Sequence, residues 1–451
     1  MVTPARTTTR EGFPAQPTSL RQAVAGMAIL VGLLLQISRF TAFPVNPDLV
    51  GYAFWLAALL LWIDLNPLTR WQSGGLAAIG LVLLGVCRWR YDVAIDWSSI
   101  LNGNTYVVAM LVGVSFIGLL GQGKAPSGAP GRATMGANGI ISTWLSVHLL
   151  GAILNLSSVF MVGDHIKARG GLGTAQILTL NRGLSSAAFW SPFFASMGVA
   201  MSTAPDMAFA WIVSFGLPLA LLSGLVTRLE IPRRYALDDI QGFSLSPASL
   251  FMPLSMAALV MLFHYVITPA LSIVSIITFL LPGVALLFQM RYGVPSAAQR
   301  VLQHARTRLP AMRGEITLFL CAGLFTLGLS SLIDAATGSQ WVLFERFGIR
   351  EATLSYLGIV SSAVIGLHPI IGVSALASML DLDTVNHTLL GFVCLSGWGV
   401  GAAIGPLSGI NLSLQGRYGI GSYRLMRLNI PYALAMSCLV FFAIMLLDAL
   451  M

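Results

Sequence analysis

Long apolar runs separated by short polar segments make up most of this chain. Runs that read as membrane-crossing helices cover 23–43, 49–63, 74–88, 101–120, 183–201, 207–226, 248–268, 270–290, 316–334, 387–405 and 430–449. Their lengths approach the ~20 residues that a helix needs to cross ~30 Å of hydrocarbon. None shows the period-two alternation of a barrel strand. Two more stretches, 137–163 and 352–380, are apolar but too long for one plain crossing. Small or polar residues interrupt each near its middle.

Composition turns this pattern into a class. Of the 451 residues, 56% are hydrophobic and 9% charged, against roughly 25% charged in a soluble domain. Such a chain cannot cover itself with a water-facing surface. In hydrocarbon every backbone N–H and C=O must be paired internally, which leaves helices or a closed barrel. The expected fold is an all-α polytopic membrane protein, with about 11 transmembrane helices plus two oppositely oriented re-entrant hairpins in an inverted-repeat architecture.

The net charge of +8 does not indicate a nucleic-acid binder, because Lys and Arg fall in short loops and form no basic face. Instead they sort the loops by side. The N-terminal tail, 64–73 (Arg70), 121–136 (Lys124, Arg132), 164–182 (Lys167, Arg169, Arg182), 227–243 (Arg228, Arg233, Arg234), the Arg-rich 291–315 and 413–428 (Arg417, Arg424, Arg427) belong together. They share one side only if 137–163 enters and leaves from it, and 352–380 does the same from the opposite side. Arg88 and Arg90, offset by Asp92 and Asp96, and Arg346 with Arg350 are the exceptions. The layout predicts the N-terminus inside and the C-terminus outside, in a bacterial cytoplasmic (inner) membrane. The polar first 22 residues carry Arg6, Arg10 and Arg21, but no small-residue cleavage site follows, so the first apolar run reads as a retained helix. Cys87, Cys321, Cys394 and Cys438 are scattered and suggest neither a metal site nor a disulfide framework.

The expected organisation is a tail (1–22), scaffold helices (23–136), a first repeat (137–227), scaffold helices with a basic linker (228–315), a second repeat (316–428) and a C-terminal crossing (429–451). The repeats rest on matching segments. "HLLGAILNLSSVFMVG" is followed by "GLSSAAFWSPFFASMGVAMS", and "GLHPIIGVSALASML" by "GFVCLSGWGVGAAIGPLSGINLSL". From Asn155 to Pro192 is 37 positions, as is Pro369 to Pro406. Proline removes a donor and clashes with the preceding turn, so Pro192 and Pro406 break their helices. Broken backbone at membrane depth survives where it lines protein or a cavity. Half-helix ends then offer N–H groups to an anion and carbonyls to a cation, and paired interrupted segments mark a transporter's binding site.

In this hairpin-and-broken-helix pattern, the region from about 137 to 420 resembles the ion transporter superfamily, which includes the divalent-anion/sodium symporters and the arsenite permeases. The resemblance implies an inverted-repeat secondary transporter in which hairpin tips and broken helices bind the solute. The Ser-Asn-Thr hairpin signature of the divalent-anion group is absent. "NLSS" at Asn155–Ser158 and "GVSALAS" at Gly372–Ser378 stand at the comparable places.

Candidate substrate-binding residues follow. Asn155, Ser157 and Ser158 offer an amide and two hydroxyls mid-hairpin, against the plainer role of back-bonding to helical carbonyls. Ser374 is their counterpart in the second hairpin. His368, before Pro369, fits a hairpin tip as solute contact or proton relay, or ties a turn together. His148 and His264 read as more structural. Ser191, Pro192 and Ser196 in one broken helix match Pro406, Ser408, Asn411 and Ser413 in the other. A coupling ion, sodium or proton, is admitted; sodium would lie near Asn155, Ser158, Ser374 and Asn411. No other cofactor is expected.

No Lys, Arg or carboxylate falls in the middle of a predicted span. An anionic solute would thus be held by helix dipoles, hydroxyls and amides, or by a co-bound cation. The expected function is secondary active transport of a small anion, dicarboxylate-like or inorganic, by cation-coupled symport, not an enzyme. The alternatives are an antiporter or exporter of the same superfamily, kept open by Asp164–His165 at a hairpin foot, or a membrane enzyme acting on lipid-linked substrates. The adjacent Asp238–Asp239 gives the latter no paired-carboxylate site. Expected partners are the solute, membrane lipid around a basic amphipathic stretch at 291–315 (Val301, Leu302, Ala305, Leu309) and around "FERFGIR" at 344–350, and, in one reading, a second copy in a homodimer.

Overall fold

The computed structural model describes residues 19–41, 45–120, 134–236, 240–245, 247–338 and 341–451. Arg6, Arg10, Lys124, Arg132 and the Asp238–Asp239 pair lie outside them. Regular structure among the described residues is helical, apart from one isolated bridge between Met135 and Gln241. The chain is an all-α, multi-pass membrane protein.

The first helices are α1 (Leu20–Ser38), α2 (Pro47–Leu61), α3 (Pro67–Tyr91), α4 (Trp97–Asn102), α5 (Thr105–Ser115) and α6 (Ile117–Leu120). Their starts are set locally: Ser19 and Gln22 form a capping box, and Asn46 and Asn66 cap helices that begin with proline. Next come α7 (Gly136–Leu154), α8 (Leu156–Ala168), α9 (Thr174–Ala187), α10 (Ala195–Thr203), α11 (Phe209–Arg234), α12 (Pro247–Leu262) and α13 (Ile273–Met290). The rest are α14 (Val294–Thr307), α15 (Arg313–Thr337), α16 (Ile349–Val364), α17 (Pro369–Ala377), α18 (His387–Ile404), α19 (Gly409–Tyr418) and α20 (Ser422–Leu450).

Among the described residues, 10 helical stretches are long and apolar enough to cross a membrane. That count includes the hairpin arm α7, and leaves out the broken α9–α10 and the shorter apolar Leu254–Ile267. Exchanging the one for the other two gives the crossings that the apolar runs predict.

Hydrogen bonds across loops sort the chain into two sides. Arg21 pairs with Asp64 at 2.8 Å, and Arg313 donates to the Asp64 carbonyl at 2.8 Å. Arg234 donates to the Leu428 carbonyl at 3.0 Å, and Gln289 to that of Leu119 at 2.5 Å. On the opposite side Ser98 donates to Asp48 at 2.6 Å, and the Ala208 N–H to Thr388 at 2.9 Å. The basic loops are therefore neighbours.

Both feet of the α7–α8 hairpin meet one basic-side segment. Gly136 N–H donates to the Ile240 carbonyl at 2.9 Å, Phe243 N–H to Thr143 at 2.8 Å, and the His165 ring lies 5.0 Å from that of Phe243. The feet of the α16–α17 hairpin meet on the other side, where Leu343 N–H donates to the Met379 carbonyl at 2.8 Å. Two hairpins thus enter from opposite sides, and each precedes a helix interrupted mid-course, α9–α10 or α18–α19.

Three boundaries differ from the sequence reading. The first broken helix begins at Thr174 rather than 183, because Asn181 and Arg182 find partners inside the protein. Residues 341–348 form no helix, and Phe347 is buried rather than laid on a membrane surface. The amphipathic α14 turns Ala297 and Ala305 into the protein, Leu309 is buried in the turn that follows it, and Val301 and Leu302 are half-buried. Its closeness to α1 requires glycine: a methyl group at Gly26 would meet the Ala305 carbonyl oxygen at 2.0 Å.

Candidate functional site

Asn155 forms the break of hairpin 1 with φ 50° and ψ −136°, a backbone conformation that a side chain rarely tolerates. Its amide donates to the Phe193 carbonyl at 3.3 Å, joining the hairpin tip to the gap between α9 and α10. Ser158 is fully buried and donates to the Asn155 carbonyl at 2.8 Å, while Ser157 is exposed. Across the gap, Ser191 donates to the Ala152 carbonyl and accepts from Phe193 N–H at 3.3 Å. Pro192 follows inside the gap, and Ser196 donates to the Ala188 carbonyl at 3.1 Å. Hairpin tip and broken helix therefore meet, as the sequence pairing anticipates.

His148, weighted lightly in the sequence, is held from both sides in this region. Trp190 Nε1–H donates to His148 Nε2 at 3.2 Å, so the ring proton sits on Nδ1 and faces Ser186 Oγ at 2.9 Å. The ring also stacks on Trp144 with centroids 4.8 Å apart. These contacts specify a neutral imidazole.

In hairpin 2, His368 caps α17: its Nδ1 accepts from Ile370 N–H at 3.2 Å, and its ring meets Trp398 edge-on at 5.2 Å. The side chain ties the turn together. Ser374 is buried on α17, and its carbonyl accepts from the Ser378 hydroxyl at 2.9 Å. His264 faces the Leu271 carbonyl at 3.2 Å beside its own helix end.

The break between α18 and α19 is satisfied by side chains. Pro406 has no N–H for the Ala402 carbonyl, and Ser408 supplies its hydroxyl instead at 2.8 Å. Ser408 also caps α19 by accepting from Asn411 N–H at 3.3 Å. The Asn411 amide donates to the carbonyls of Ala403 (3.1 Å) and Gly405 (2.8 Å) and accepts from Asn181 at 2.7 Å. Asn429 donates to Asn181 at 3.3 Å and to Ala403 at 3.0 Å. Three buried asparagines from α9, α19 and α20 thus converge on the Ala403 carbonyl, and none of its lone pairs is left for a cation in this arrangement. Among the four residues expected near sodium, Asn155 and Ser158 bond to each other, Asn411 joins the asparagine cluster, and Ser374 bonds to neither group.

Arg182, read from the sequence as a loop residue, lies inside the first broken helix. It sits about 12 Å along α9 from Thr174, at 1.5 Å per residue, and is fully buried. Its Nε donates to Asn429 at 2.8 Å, its guanidinium pairs with Glu230 at 2.5 Å, and it lies 4.6 Å above the Tyr432 ring. Tyr432 in turn shares a hydrogen bond with Ser223 at 2.7 Å. A buried charge needs a partner, and Arg182 has Glu230 beside it and one hydrogen bond through Nε, while neither of its Nη atoms is hydrogen-bonded. Sequence reading missed the group because Arg182, Arg424 and Arg427 end the apolar windows, placing Asn181 and Asn429 in loops. The usable signal was "LNRG" and "RLNIP", polar residues in stretches that helix propensity alone would continue.

Between α8 and α19 lies a cleft of about 810 Å³, open on the basic side and lined by Phe160, Asp164, Lys167, Ala168, Ser413, Gly416 and Arg417. Asp164 accepts from Arg417 Nε at 2.9 Å and from its Nη2, and from the Tyr418 hydroxyl at 3.1 Å. A smaller cleft of about 340 Å³ on the opposite side includes Asp206, Asp383, His387 and Thr388.

No family model matches the chain. No curated protein sequence matches it either. Among solved structures, the chain is similar to the Alcanivorax borkumensis YdaH transporter, with 16% identity and a TM-score of 0.45 over 90% of this chain and 98% of that one.

Proposed function

We propose that this protein is a secondary active transporter of a small anionic solute, coupled to a cation, with the ion-transporter type of inverted-repeat mechanism. The observation that carries the reading is the pair of hairpins entering from opposite sides, each followed by a helix broken at Pro192 or Pro406. Interrupted segments in matching positions of two halves are the arrangement transporters use to hold a solute at the membrane midplane. Nothing in a purely structural membrane bundle calls for them, since each break leaves backbone groups that need partners.

The solute site is the hairpin 1 tip against the first break. There the Asn155 amide and the Ser157 hydroxyl are the polar groups least committed to their own backbone. In the mechanism, the hairpin-bearing unit moves against α1–α3, α13 and α15, exposing that site to each side in turn. A sodium ion or proton moves with the solute and compensates its charge.

Counterflow in proteoliposomes tests the class. Vesicles preloaded with unlabelled succinate, citrate, sulfate or arsenite are diluted into the same labelled solute. A carrier accumulates label transiently, whereas a channel equilibrates it without overshoot. Absence of overshoot for every anion would reject the anion-carrier reading.

A further inference from the structure

Two Arg–carboxylate pairs tie the repeat elements together, and they differ in the one property that decides what each can do. Arg182 and Glu230 are closed off, with side-chain exposures of 0% and 16%. Arg417 and Asp164 face the open cleft, with exposures of 48% and 42%. Removing one partner of a buried pair strands a charge and costs about 3–5 kcal/mol. An exposed pair contributes only about 0–1 kcal/mol, because water and other anions replace either partner at little cost. The cleft pair is the exchangeable one.

Its surroundings are arranged for such an exchange. Phe160 and Asp164 lie four residues apart on α8, as do Ser413 and Arg417 on α19, so each helix turns one face into the cleft. Asp164 lies about 13 Å along its helix from the Asn155 break, and Arg417 about 12 Å along α19 from Gly409. The pair crosses a cleft whose two walls both run back to a break. Arg417 presents Nε and Nη2 to the Asp164 carboxylate, the fork that recognises any carboxylate or tetrahedral oxyanion. Lys167 adds a second cation from the facing α8 wall, with its ammonium 5.8 Å from the Tyr418 ring centre. The charged residues lining the cleft are two cations against one carboxylate.

We propose that this cleft is an anion-receiving site, distinct from the hairpin-tip site, at which the carboxylate or oxyanion of the solute displaces Asp164 from Arg417. The incoming anion takes the guanidinium fork, Lys167 neutralises its remaining charge, and Ser413 donates one turn deeper. Asp164 is the competitor that keeps the fork occupied when no solute is present and that returns when the solute leaves. The inference rests on the reading of the solute as an anion.

The test is binding by the purified full-length chain in neutral detergent. Succinate, citrate and sulfate are titrated at constant ionic strength against chloride, followed by calorimetry and by thermal unfolding. Wild type binds at least one of the three in excess of chloride. Lys167→Gln weakens that binding about two- to fivefold, the range an exposed charge contributes. Asp164→Asn strengthens it by a similar factor, because the competing carboxylate is gone while the Tyr418 hydroxyl keeps a partner. Arg417→Lys, which keeps the charge but loses the fork, weakens it. Opposite signs for Asp164→Asn and Lys167→Gln are the signature that a merely structural ion pair would not give. Equal anion affinity in wild type and both variants overturns the cleft site and leaves the anion-transporter reading intact. Wild type that binds none of the three overturns the site, and absent counterflow with the same anions then removes the broader reading too.

Discussion

Gln72 of α3 donates to the carbonyl oxygen of Gly366 at 2.9 Å, so α3 holds the tip of hairpin 2. Gln72 is buried and lies about 8 Å from the basic-side start of α3 at Pro67, at 1.5 Å per residue. Hairpin 2 enters from the opposite side, so its tip has crossed most of the bundle. Gly366 turns there with φ 103°, a conformation open to glycine. At the foot, Ser378 donates to the Thr326 carbonyl at 3.2 Å, which adds a second attachment to α15.

Under the proposed mechanism, the Gln72 contact breaks when the hairpin-bearing unit moves. In a chain whose native cysteines are replaced, linking Gln72→Cys to Leu367→Cys with mercury should arrest counterflow, and a thiol reductant should restore it. Unimpaired counterflow in the linked protein would mean that hairpin 2 and α3 stay together throughout transport.

Asn155 separates backbone strain from side-chain function. Its φ and ψ cost about 1–3 kcal/mol in a residue with a side chain, whereas its amide makes one hydrogen bond worth about 0.5–1.5 kcal/mol. Asn155→Gly should therefore be at least as stable as wild type in thermal unfolding yet lose solute transport, while Asn155→Ala loses both. Full transport by the glycine variant would assign the amide a purely structural part.

Arg182→Ala should unfold at markedly lower temperature, in line with about 3–5 kcal/mol for breaking a buried pair. Glu230→Gln should cost at least as much, because it strands the fully buried Arg182 guanidinium, whereas Glu230 keeps Arg234 at 2.5 Å when Arg182 is removed. A single variant with unchanged unfolding would contradict the burial of the pair.

Asn411→Leu removes three hydrogen bonds at the break, those to the Ala403 and Gly405 carbonyls and the one from the Asn181 amide, at about 0.5–1.5 kcal/mol each. The expected result is a drop in unfolding temperature larger than that of Ser408→Ala, which removes one hydroxyl. The reverse order would show that the Ser408 cap, not the asparagine cluster, holds the break.

Much of the architecture was legible in the chain. Period and length marked the helices, proline marked the breaks, and basic loops sorted the two sides. The hairpin break at Asn155 and the gap around Pro192 were predictable because interruption of an apolar run is a local signal. The Asn181–Asn411–Asn429 cluster was not, since its members come from three helices and two of them look like loop residues beside arginines. Nor could sequence show that Ser408 and Asn411 spend their polar groups on the carbonyls that Pro406 frees. Whether a mid-membrane amide faces its own backbone or a solute depends on tertiary partners, which spacing alone does not encode.

Gradient-driven accumulation tests the central claim most directly. Proteoliposomes carrying wild type or Asn155→Ala/Ser374→Ala are given labelled succinate, citrate, sulfate or arsenite under an inward sodium gradient, a proton gradient or neither. The account predicts that one anion accumulates above its outside concentration only when one of the gradients is present, and that the double variant, still folded by thermal unfolding, does not accumulate it. Accumulation independent of both gradients, or undiminished in the double variant, would contradict a cation-coupled transporter that holds its solute at the hairpins.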